Sequence, residues 1–179
     1  MNIKLWMGSF LNYFYNNLIT HIPIHFVRKS FLRIFNKNIA ADAVILMHSR
    51  FLNFWEIEIA ERVVINQYCL MDCRKYKIKI GHDTDIGPYT KIWTLGHNPN
   101  SDTHELYGGH VNIDHHVWIA SNVTILPKLT IAAGAVVAAS SVVHKDVESL
   151  AIVAGNPAIT LKKRINTLTY KLKYTPIFE

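Results

Sequence analysis

Residues 113–147, IDHHVWIASNVTILPKLTIAAGAVVAASSVVHKDV, carry an aliphatic residue at every sixth position. These anchors are Ile113, Ile119, Ile125, Ile131, Val137 and Val143. Four residues after each anchor stands a small or aliphatic residue, namely Val117, Val123, Leu129, Ala135, Ser141 and Val147. A period of six fits neither a helix nor a simple alternating strand. It is typical of a β-solenoid whose triangular coil is built from three short strands.

The same spacing recurs upstream in three further sets of anchors. They are Ile39, Ile45 and Phe51; Ile59, Ile65 and Met71; and Ile80, Ile86 and Ile92. With the two sets that begin at Ile113 and Ile131, they predict about five coils. Each departure from the period falls after the third anchor of a set, so all insertions leave the solenoid at one corner. The longest insertion, residues 96–112, is rich in Gly, His and Asn and is expected to project as a loop.

The composition bounds the size and the partners of the molecule. The chain has 179 residues, of which 50% are hydrophobic, and no shift in composition divides it, so we expect one body with a substantial core. The formal net charge is +6, but the basic residues collect near the two ends and do not alternate with aromatic residues. This distribution argues against a nucleic-acid partner. It favours a phosphorylated small molecule or an anionic membrane surface.

The two ends of the chain are predicted to be helical, with the β-helix between them at residues 39–160. Residues 1–38 are expected to form a helical cap, because residues 5–27 contain no Lys, Arg, Asp or Glu and carry a polar stripe at near-helical spacing. The stripe comprises Ser9, Asn12, Asn16 and Thr20. A cap over the open end of the solenoid is favoured, and an interfacial membrane helix is the alternative. Residues 161–179 are expected to form a short helical tail.

The projecting loop holds the main candidate for acid–base chemistry. His97 lies in it, and a histidine on an exposed loop can act as a general base; a hydrogen-bonded surface histidine is the alternative. A metal site is a further alternative, because four more histidines lie nearby: His104, His110, His115 and His116. Their spacing matches no metal-binding motif. Three polar residues are placed near the inserted corner, where they either face a substrate or complete turns: Asn66, Gln67 and Asp72.

Several runs of the sequence resemble the hexapeptide-repeat acyltransferases. They are residues 117–121, 125–127, 135–147 and 153–158, and the resemblance spans about residues 59–164. The chain looks most like the acetyltransferases that modify sugars: the maltose, galactoside, colanic-acid and capsular-polysaccharide O-acetyltransferases. The resemblance implies a left-handed parallel β-helix, which is an exception to the usual right-handed crossover. It also implies a homotrimer with active sites between neighbouring subunits, and acetyl-CoA as the acetyl donor.

The resemblance assigns roles to individual residues as well. His97 takes the place of the family's catalytic histidine, and Trp118 that of the tryptophan in its Val-Trp-Ile-Gly motif. The other positions expected to bind the cofactor are Ala120, Ser121, Ala138, Ala139, His144, Lys145 and Lys162. Alanine stands at positions 120, 132 and 138, where the family usually has glycine, and His144 stands where threonine is common. The substrate-binding candidates remain Asn66, Gln67 and Asp72.

Together these expectations describe an acetyl-CoA-dependent O-acetyltransferase that acts on a sugar hydroxyl in bacterial surface polysaccharide biosynthesis. His97 would take the hydroxyl proton, and a backbone amide near Ala120 or Ser121 would stabilise the oxyanion. The expected location is the cytoplasm, with peripheral contact to the inner face of the membrane through the N-terminal helix as an option. Three alternatives stay open: N-acetylation of an amino sugar, a non-catalytic scaffold, and a metal-dependent hydratase with His97, His110 and His115 as zinc ligands.

Overall fold

The computed structural model describes residues 3–179, and residues 1 and 2 of the predicted cap lie outside this range. Helix α1 spans Ile3–Asn17, a short 3₁₀ helix follows at Ile19–His21, and α2 spans His25–Phe35. A second 3₁₀ helix lies at Phe54–Glu56. No helix within residues 3–179 combines the length and the apolar character needed to cross a membrane.

The rest of the chain is built from short strands. In chain order they are β1 (Val44–Ile45), β2 (Arg50–Phe51), β3 (Ile57–Ile59), β4 (Val64–Ile65), β5 (Leu70–Met71), β6 (Ile78–Ile80), β7 (Asp85–Ile86), β8 (Lys91–Ile92), β9 (Leu95–His97), β10 (Leu106–Gly108), β11 (Val111–Ile113), β12 (Trp118–Ile119), β13 (Thr124–Ile125), β14 (Thr130–Ile131), β15 (Val136–Val137), β16 (Val142–Val143), β17 (Ala151–Ala154) and β18 (Ile159–Lys163).

Three sheets form the sides of a prism. The first sheet has the order β1-β4-β7-β12-β15-β17-β18, the second β2-β5-β8-β13-β16, and the third β3-β6-β11-β14. All neighbours within them are parallel except β17 and β18, which are antiparallel. Consecutive strands of the chain go to consecutive sheets, so each circuit of the chain adds one strand to each side. The expected parallel β-solenoid is therefore the fold of this chain.

The register explains the six-residue period. Anchors pair directly with anchors, as in the row Ile45, Ile65, Ile86, Ile119 and Val137 of the first sheet. The anchors are buried in one continuous core, because each points to the prism interior while its sequence neighbours point outward. Each anchor packs against the anchors of the coils above and below it, so a bulky aliphatic residue is favoured at every anchor position.

Three corners join the sheets, and they differ in length. The first corner leads from the third sheet to the first and includes residues 61–63, 82–84 and 115–117; the second leads from the first sheet to the second and includes residues 120–123 and 138–141. The third corner, between the second and third sheets, contains every insertion. Its longest insertion holds β9 and β10, which pair as an antiparallel hairpin.

The two helices cover the open end of the prism. Asn16 donates its amide to the carbonyl of Phe51 at 2.6 Å and accepts from the amide of Phe51 at 3.0 Å. Asn36 donates to the carbonyls of Phe54 and Ile57. Strand β2 is the last of its sheet, so its outward backbone groups would otherwise be unpaired. The polar residues of the N-terminal segment therefore terminate the sheets.

The C-terminal segment is not helical, which corrects the expected helical tail at residues 161–179. Its first part is strand β18, and its remainder runs extended along the first corner back to the N-terminal helices, where Phe178 bridges to Ile24. The reason is an alternation of period two: Leu168, Tyr170 and Leu172 are partly buried, while the residues between them are exposed. We call residues 164–179 the strap.

Candidate functional site

The hairpin at residues 95–108 projects from the third corner. Leu106 pairs with His97 and Gly108 with Leu95 across its two strands. The hydrogen bonds described for residues 98–105 stay within the hairpin, for example from the amide of Asn98 to the carbonyl of Glu105 at 2.9 Å. The hairpin is thus held in shape by itself and leaves its outer surface free for another molecule.

His97 is the exposed histidine of this hairpin. Its Nδ1 lies 3.0 Å from the backbone carbonyl oxygen of His104, and its ring stacks on the His104 ring at a centroid distance of 3.6 Å. A carbonyl can only accept, so Nδ1 carries the hydrogen of the neutral ring and Nε2 keeps a lone pair. The imidazole is thereby oriented by its own hairpin and presents a proton acceptor to solvent, which is the arrangement a general base requires.

The small residues predicted to line the cofactor gather on two adjacent turns of the second corner. Ala120 and Ser121 form one turn, and Ala138 and Ala139 form the next. Trp118 lies just before the first of these turns, on the outward face of β12, with half of its surface exposed. The structure therefore brings these five residues together on one edge of the prism.

The backbone amides of this edge are not equivalent. The Ala120 amide donates to the carbonyl of Val137 and the Ala138 amide to that of Val153, each at 2.9 Å. Both amides are used by the ladder between coils, so Ala120 cannot supply the oxyanion contact that the sequence allowed. In the described residues no hydrogen bond is found from the Ser121 amide, which leaves it as the candidate donor.

Three predicted cofactor residues lie elsewhere. His144 and Lys145 follow β16 and are exposed at the third corner, across the second sheet from the small-residue turns. Lys162 lies on β18 opposite Ile152, at the C-terminal end of the first sheet. A single chain does not bring these basic residues to the two turns.

The three substrate-binding candidates are divided between two corners. Asn66 and Gln67 lie at the second corner, not near the inserted corner as expected, because they follow the second anchor of their coil. Asn66 donates to the Asp85 carboxylate at 2.9 Å. Burial raises the pKa of Asp85, although this hydrogen bond opposes the shift.

Asp72 lies at the third corner, at the base of the hairpin. Its side chain is fully buried and accepts from the Arg74 guanidinium at 2.8 Å, and its carbonyl accepts from the Thr94 hydroxyl at 2.5 Å. The Gly109 amide in turn donates to the carbonyl of Thr94 at 3.0 Å. Asp72 therefore fixes the point at which the hairpin leaves the prism.

Gly87 is a residue of the site that sequence reasoning missed. It is the second-corner residue of the coil before Ala120, and a Cβ atom added to it would lie 2.6 Å from the Ala120 carbonyl carbon and 2.7 Å from the Ser121 nitrogen. Only glycine lets the two coils approach this closely. The available signal was the Gly-Pro pair at positions 87 and 88, which marks a tight turn.

The hydratase alternative needs His97, His110 and His115 in one place, and one chain does not provide this. His110 accepts at Nδ1 from the Lys77 amide at 2.9 Å, at the third corner. His115 is at the first corner, stacked on His82 with ring centroids 5.0 Å apart. These two histidines therefore have structural partners at different corners.

Residues 3–179 do contain one group of potential metal ligands, formed by His82, Asp83 and His116 at the first corner. The Asp83 carboxylate already accepts hydrogen bonds from other parts of the chain. Arg62 donates to both oxygens of Asp83 at 2.8 Å, and Leu172 donates its amide at 2.8 Å. The Arg62 hydrogen bonds hold the pKa of Asp83 well below its usual range. A guanidinium thus occupies the position that a cation would take, so this group is a buried ion-pair network.

Comparison with solved structures places the chain among known proteins. A hexapeptide-repeat-containing acetyltransferase from Vibrio cholerae, in complex with acetyl-coenzyme A, superposes with a TM-score of 0.84 at 25% identity, over 92% of this chain and 91% of that one. The maltose O-acetyltransferase from Clostridium difficile gives 0.80 at 26% identity, over 92% and 90%. The chain has the fold of the hexapeptide-repeat acetyltransferases. The resemblance expected from the sequence is confirmed, and an acyltransferase is supported.

More distant structures share the fold alone. A galactoside acetyltransferase in complex with coenzyme A superposes with a TM-score of 0.73 at 22% identity, over 94% of this chain and 88% of that one. An N-acyltransferase from Bacillus cereus gives 0.61 at 19% identity, over 76% and 89%. No family model and no curated protein matches the sequence.

Proposed function

We propose that this chain is an acetyl-CoA-dependent O-acetyltransferase that acts on a sugar hydroxyl in bacterial surface polysaccharide biosynthesis. The observation that carries the proposal is the His97 imidazole, which is tied at Nδ1 to the His104 carbonyl and open at Nε2. The likeness to sugar acetyltransferases and to a structure that holds acetyl-coenzyme A supports the donor and the acceptor class. Acetyl-CoA is a cytoplasmic metabolite, so we place the enzyme in the cytoplasm.

In the proposed reaction His97 Nε2 takes the proton of the acceptor hydroxyl while the hydroxyl oxygen attacks the thioester carbonyl carbon. The carbonyl oxygen gains negative charge and is stabilised by the Ser121 amide. The tetrahedral intermediate collapses, the C–S bond breaks, and the imidazolium returns its proton to the CoA sulfur. The products are the O-acetyl ester and free CoA thiol, and no covalent acyl-enzyme is required.

The cofactor is proposed to lie along the second corner, past Trp118 and the turns at Ala120 and Ala138. None of these alanine side chains extends beyond Cβ, so a slender pantetheine arm can lie close to the backbone. The CoA phosphates would meet the basic residues at the C-terminal end of the prism, among them His144, Lys145 and Lys162. Asn66 and Gln67, on the same corner but nearer the N-terminal helices, are proposed to contact the acceptor.

A homotrimer is proposed because the parts of the site flank one sheet. The His97 hairpin leaves the third corner and the small-residue turns form the second corner, and the second sheet lies between these corners. If the second sheet faces a threefold axis, the hairpin of each copy lies against the small-residue turns of the next. The site is then complete only between two copies, and the same arrangement lets Lys145 reach a cofactor held by a neighbour.

The three outer faces of the prism support this choice of sheet. The first sheet is partly covered by the strap, whose Leu172 packs on a buried patch of Val44, Leu46 and Val64. The third sheet is charged, with Glu58 bonded to Lys77 at 3.0 Å. The second sheet presents a mixed surface beside the site, where Trp93, Leu126 and Val142 lie close to Lys91 and Thr124. This surface is the one best suited to burial between copies.

The proposal is tested by release of CoA thiol from acetyl-CoA in the presence of a panel of neutral sugars, oligosaccharides and amino sugars, with product analysis by mass spectrometry and NMR. We expect an alkali-labile ester on a hydroxyl and full activity in the presence of a chelator. An amide on an amino sugar would instead select the N-acetyltransferase, and loss of activity with chelator would select the metal-dependent alternative. Light scattering should give three times the mass of one chain, and a stable monomer would contradict the shared site.

A further inference from the structure

Helix α1 turns polar residues toward the prism beside the buried Tyr15 and the partly buried Leu11. Asn12 and Asn16, together with Thr20 just beyond the helix, face the prism and hydrogen-bond to backbone carbonyls of coil residues. Trp6 and Phe10 lie on the opposite side with 57% and 49% of their surfaces exposed. A surface helix of a globular protein normally turns its apolar stripe to the core and its polar side to water. Large apolar side chains are thus left exposed on the outer side of α1, and no other part of residues 3–179 covers them.

The outer apolar side continues from α1 to α2 through a chain of neighbouring rings. Trp6 stacks on Phe10 at 5.8 Å, Phe10 on Phe14 at 6.0 Å, and Phe14 reaches Phe31 of α2 at 6.0 Å. Further exposed side chains of the two helices are Ile3, Met7, Tyr13, Phe26 and Ile34. We call this surface, defined by the five side chains just given together with Trp6 and Phe10, the aromatic face.

Helices α1 and α2, which carry the aromatic face, contain basic residues and no acidic residue. Residues 1–53 contain six basic residues, Lys4, Arg28, Lys29, Arg33, Lys37 and Arg50, and one acidic residue, Asp42. Arg28 is buried, but Lys37 follows α2 and is exposed. Exposed Trp and Tyr suit the boundary between headgroups and acyl chains, and nearby basic residues are attracted by anionic lipids. A second copy of this face would bring like charges together, so pairing between copies is disfavoured.

We propose that the aromatic face docks on an anionic phospholipid surface, with α1 and α2 lying in the plane of the interface. The helical end of the prism then contacts the membrane and the rest of the prism extends away from it. The hairpin and the small-residue turns lie on the sides of the prism and stay accessible to solutes. The proposal goes beyond acetyl transfer, since binding through this face uses no residue of the proposed catalytic site. It concerns attachment of the whole assembly, and in a threefold assembly three such faces would bind together.

The test is co-sedimentation of the full-length protein with vesicles of phosphatidylcholine alone and of phosphatidylcholine with phosphatidylglycerol. We expect binding to the anionic vesicles that weakens with salt, and at least tenfold weaker partitioning of the double variant Trp6→Ser, Phe10→Ser. Lys37→Glu reverses one charge and should weaken partitioning by more than the roughly fivefold loss expected for removing one charge near the surface. Ile165→Ser is the matched control, because Ile165 is fully exposed on the strap, away from the aromatic face.

Each opposite outcome overturns the proposal. The proposal is wrong if the wild-type protein stays in the supernatant with anionic vesicles, or if the double variant binds to them like the wild type. If the double variant instead lowers the mass seen by light scattering, the aromatic face is an interface between copies. Acetyl transfer to a soluble acceptor is measured on the same samples and is expected to be unchanged, so failure of membrane binding and failure of the acetyltransferase proposal are separate results.

Discussion

The third corner of the prism carries four histidines and the first corner three, and His97 and His116 show how differently they are used. At the third corner they are His97, His104, His110 and His144, and at the first corner they are His82, His115 and His116. The His97 hairpin is exposed and bonded mainly to itself. The first corner is partly covered by the strap and is crossed by hydrogen bonds that join three parts of the chain. The number of histidines in a region therefore does not identify a site.

His97 and His116 differ in the number of ring nitrogens left open. His116 has both of its nitrogens engaged, Nδ1 with His115 at 2.9 Å and Nε2 with the Tyr170 carbonyl at 2.9 Å. His97 has one nitrogen fixed and one open. A fixed nitrogen orients the ring and an open nitrogen can exchange a proton, so His97 meets both requirements for catalysis and His116 does not.

The largest expected effect is at the third corner. His97→Ala should lower turnover by roughly 10²–10⁴-fold, the usual contribution of a positioned general base. The acid limb of the pH–turnover profile should vanish with it, because that limb reports protonation of the base. Thermal stability should hardly change, since the hairpin contributes little to the core.

His104→Ala is the control for this experiment. It removes the stacked ring but keeps the backbone carbonyl that accepts from His97, so most of the activity should remain. If His97→Ala stays active while His116→Ala loses turnover without losing stability, the roles given to the two corners are reversed.

The next largest effect, on the free energy of unfolding, is expected at the first corner. Asp83→Asn should lower the free energy of unfolding by about 3 kcal/mol, the lower end for a broken buried pair, because a quarter of the Arg62 side chain remains exposed to water. Urea unfolding measures this loss. Glu148→Gln, an exposed change on the same corner, should stay within about 0.5 kcal/mol of the wild type. Turnover per folded molecule should be equal in all three proteins, and a specific loss of turnover in Asp83→Asn would contradict a purely structural role.

Protonation of the Asp83 carboxylate should also make the free energy of unfolding depend on pH. The pKa of Asp83 is lowered in the folded protein, chiefly by Arg62, so the unfolded chain takes up the proton first as pH falls. The contribution of Asp83 is thus complete above the ordinary Asp pKa of about 3.9 and is lost as pH falls below it. The gap in unfolding free energy between wild type and Asp83→Asn should be constant from neutral pH to about pH 5 and should narrow below about pH 4. A gap that does not change with pH would argue against an ionic role.

The smallest effect is expected from a substitution at the exposed second corner. Ala139→Leu adds volume at an exposed turn of the second corner, so the fold should tolerate it, while the proposed cofactor path becomes narrower. We expect the KM for acetyl-CoA to rise several-fold, with stability within about 0.5 kcal/mol of the wild type. An unchanged KM would move the cofactor path away from this turn.

The solenoid was predictable because its rule is local. An inward residue must recur wherever the chain passes the same sheet, so the anchors appear in the sequence as a fixed period, and Ile45, Ile86 and Val137 occupy the expected row. The hairpin was predictable for the same reason, since an insertion interrupts the period at a known corner. His97 was a candidate because it lies in the projecting loop and because the family resemblance places the catalytic histidine there, and the structure adds the hydrogen bond that orients its ring.

Other features depend on contacts between distant parts of the chain. The strap was mistaken for a helix because the alternation of Leu168, Tyr170 and Leu172 was not recognised, and no local signal shows that it covers the first corner. Asn66 and Gln67 were assigned to the wrong corner because their place in the period was not counted from the nearest anchor.

The strap also changes how the molecule is expected to come apart. A simple solenoid has contacts only between adjacent coils, so its ends can fray one coil at a time. Here the Leu172 amide reaches Asp83, 89 positions away, and Arg28 hydrogen-bonds to the carbonyl of Glu179, 151 positions away. Such pairings raise the contact order of the chain and connect its first coil to its last segment. We therefore expect slow folding and a single cooperative unfolding transition, in which neither end of the prism opens without the other.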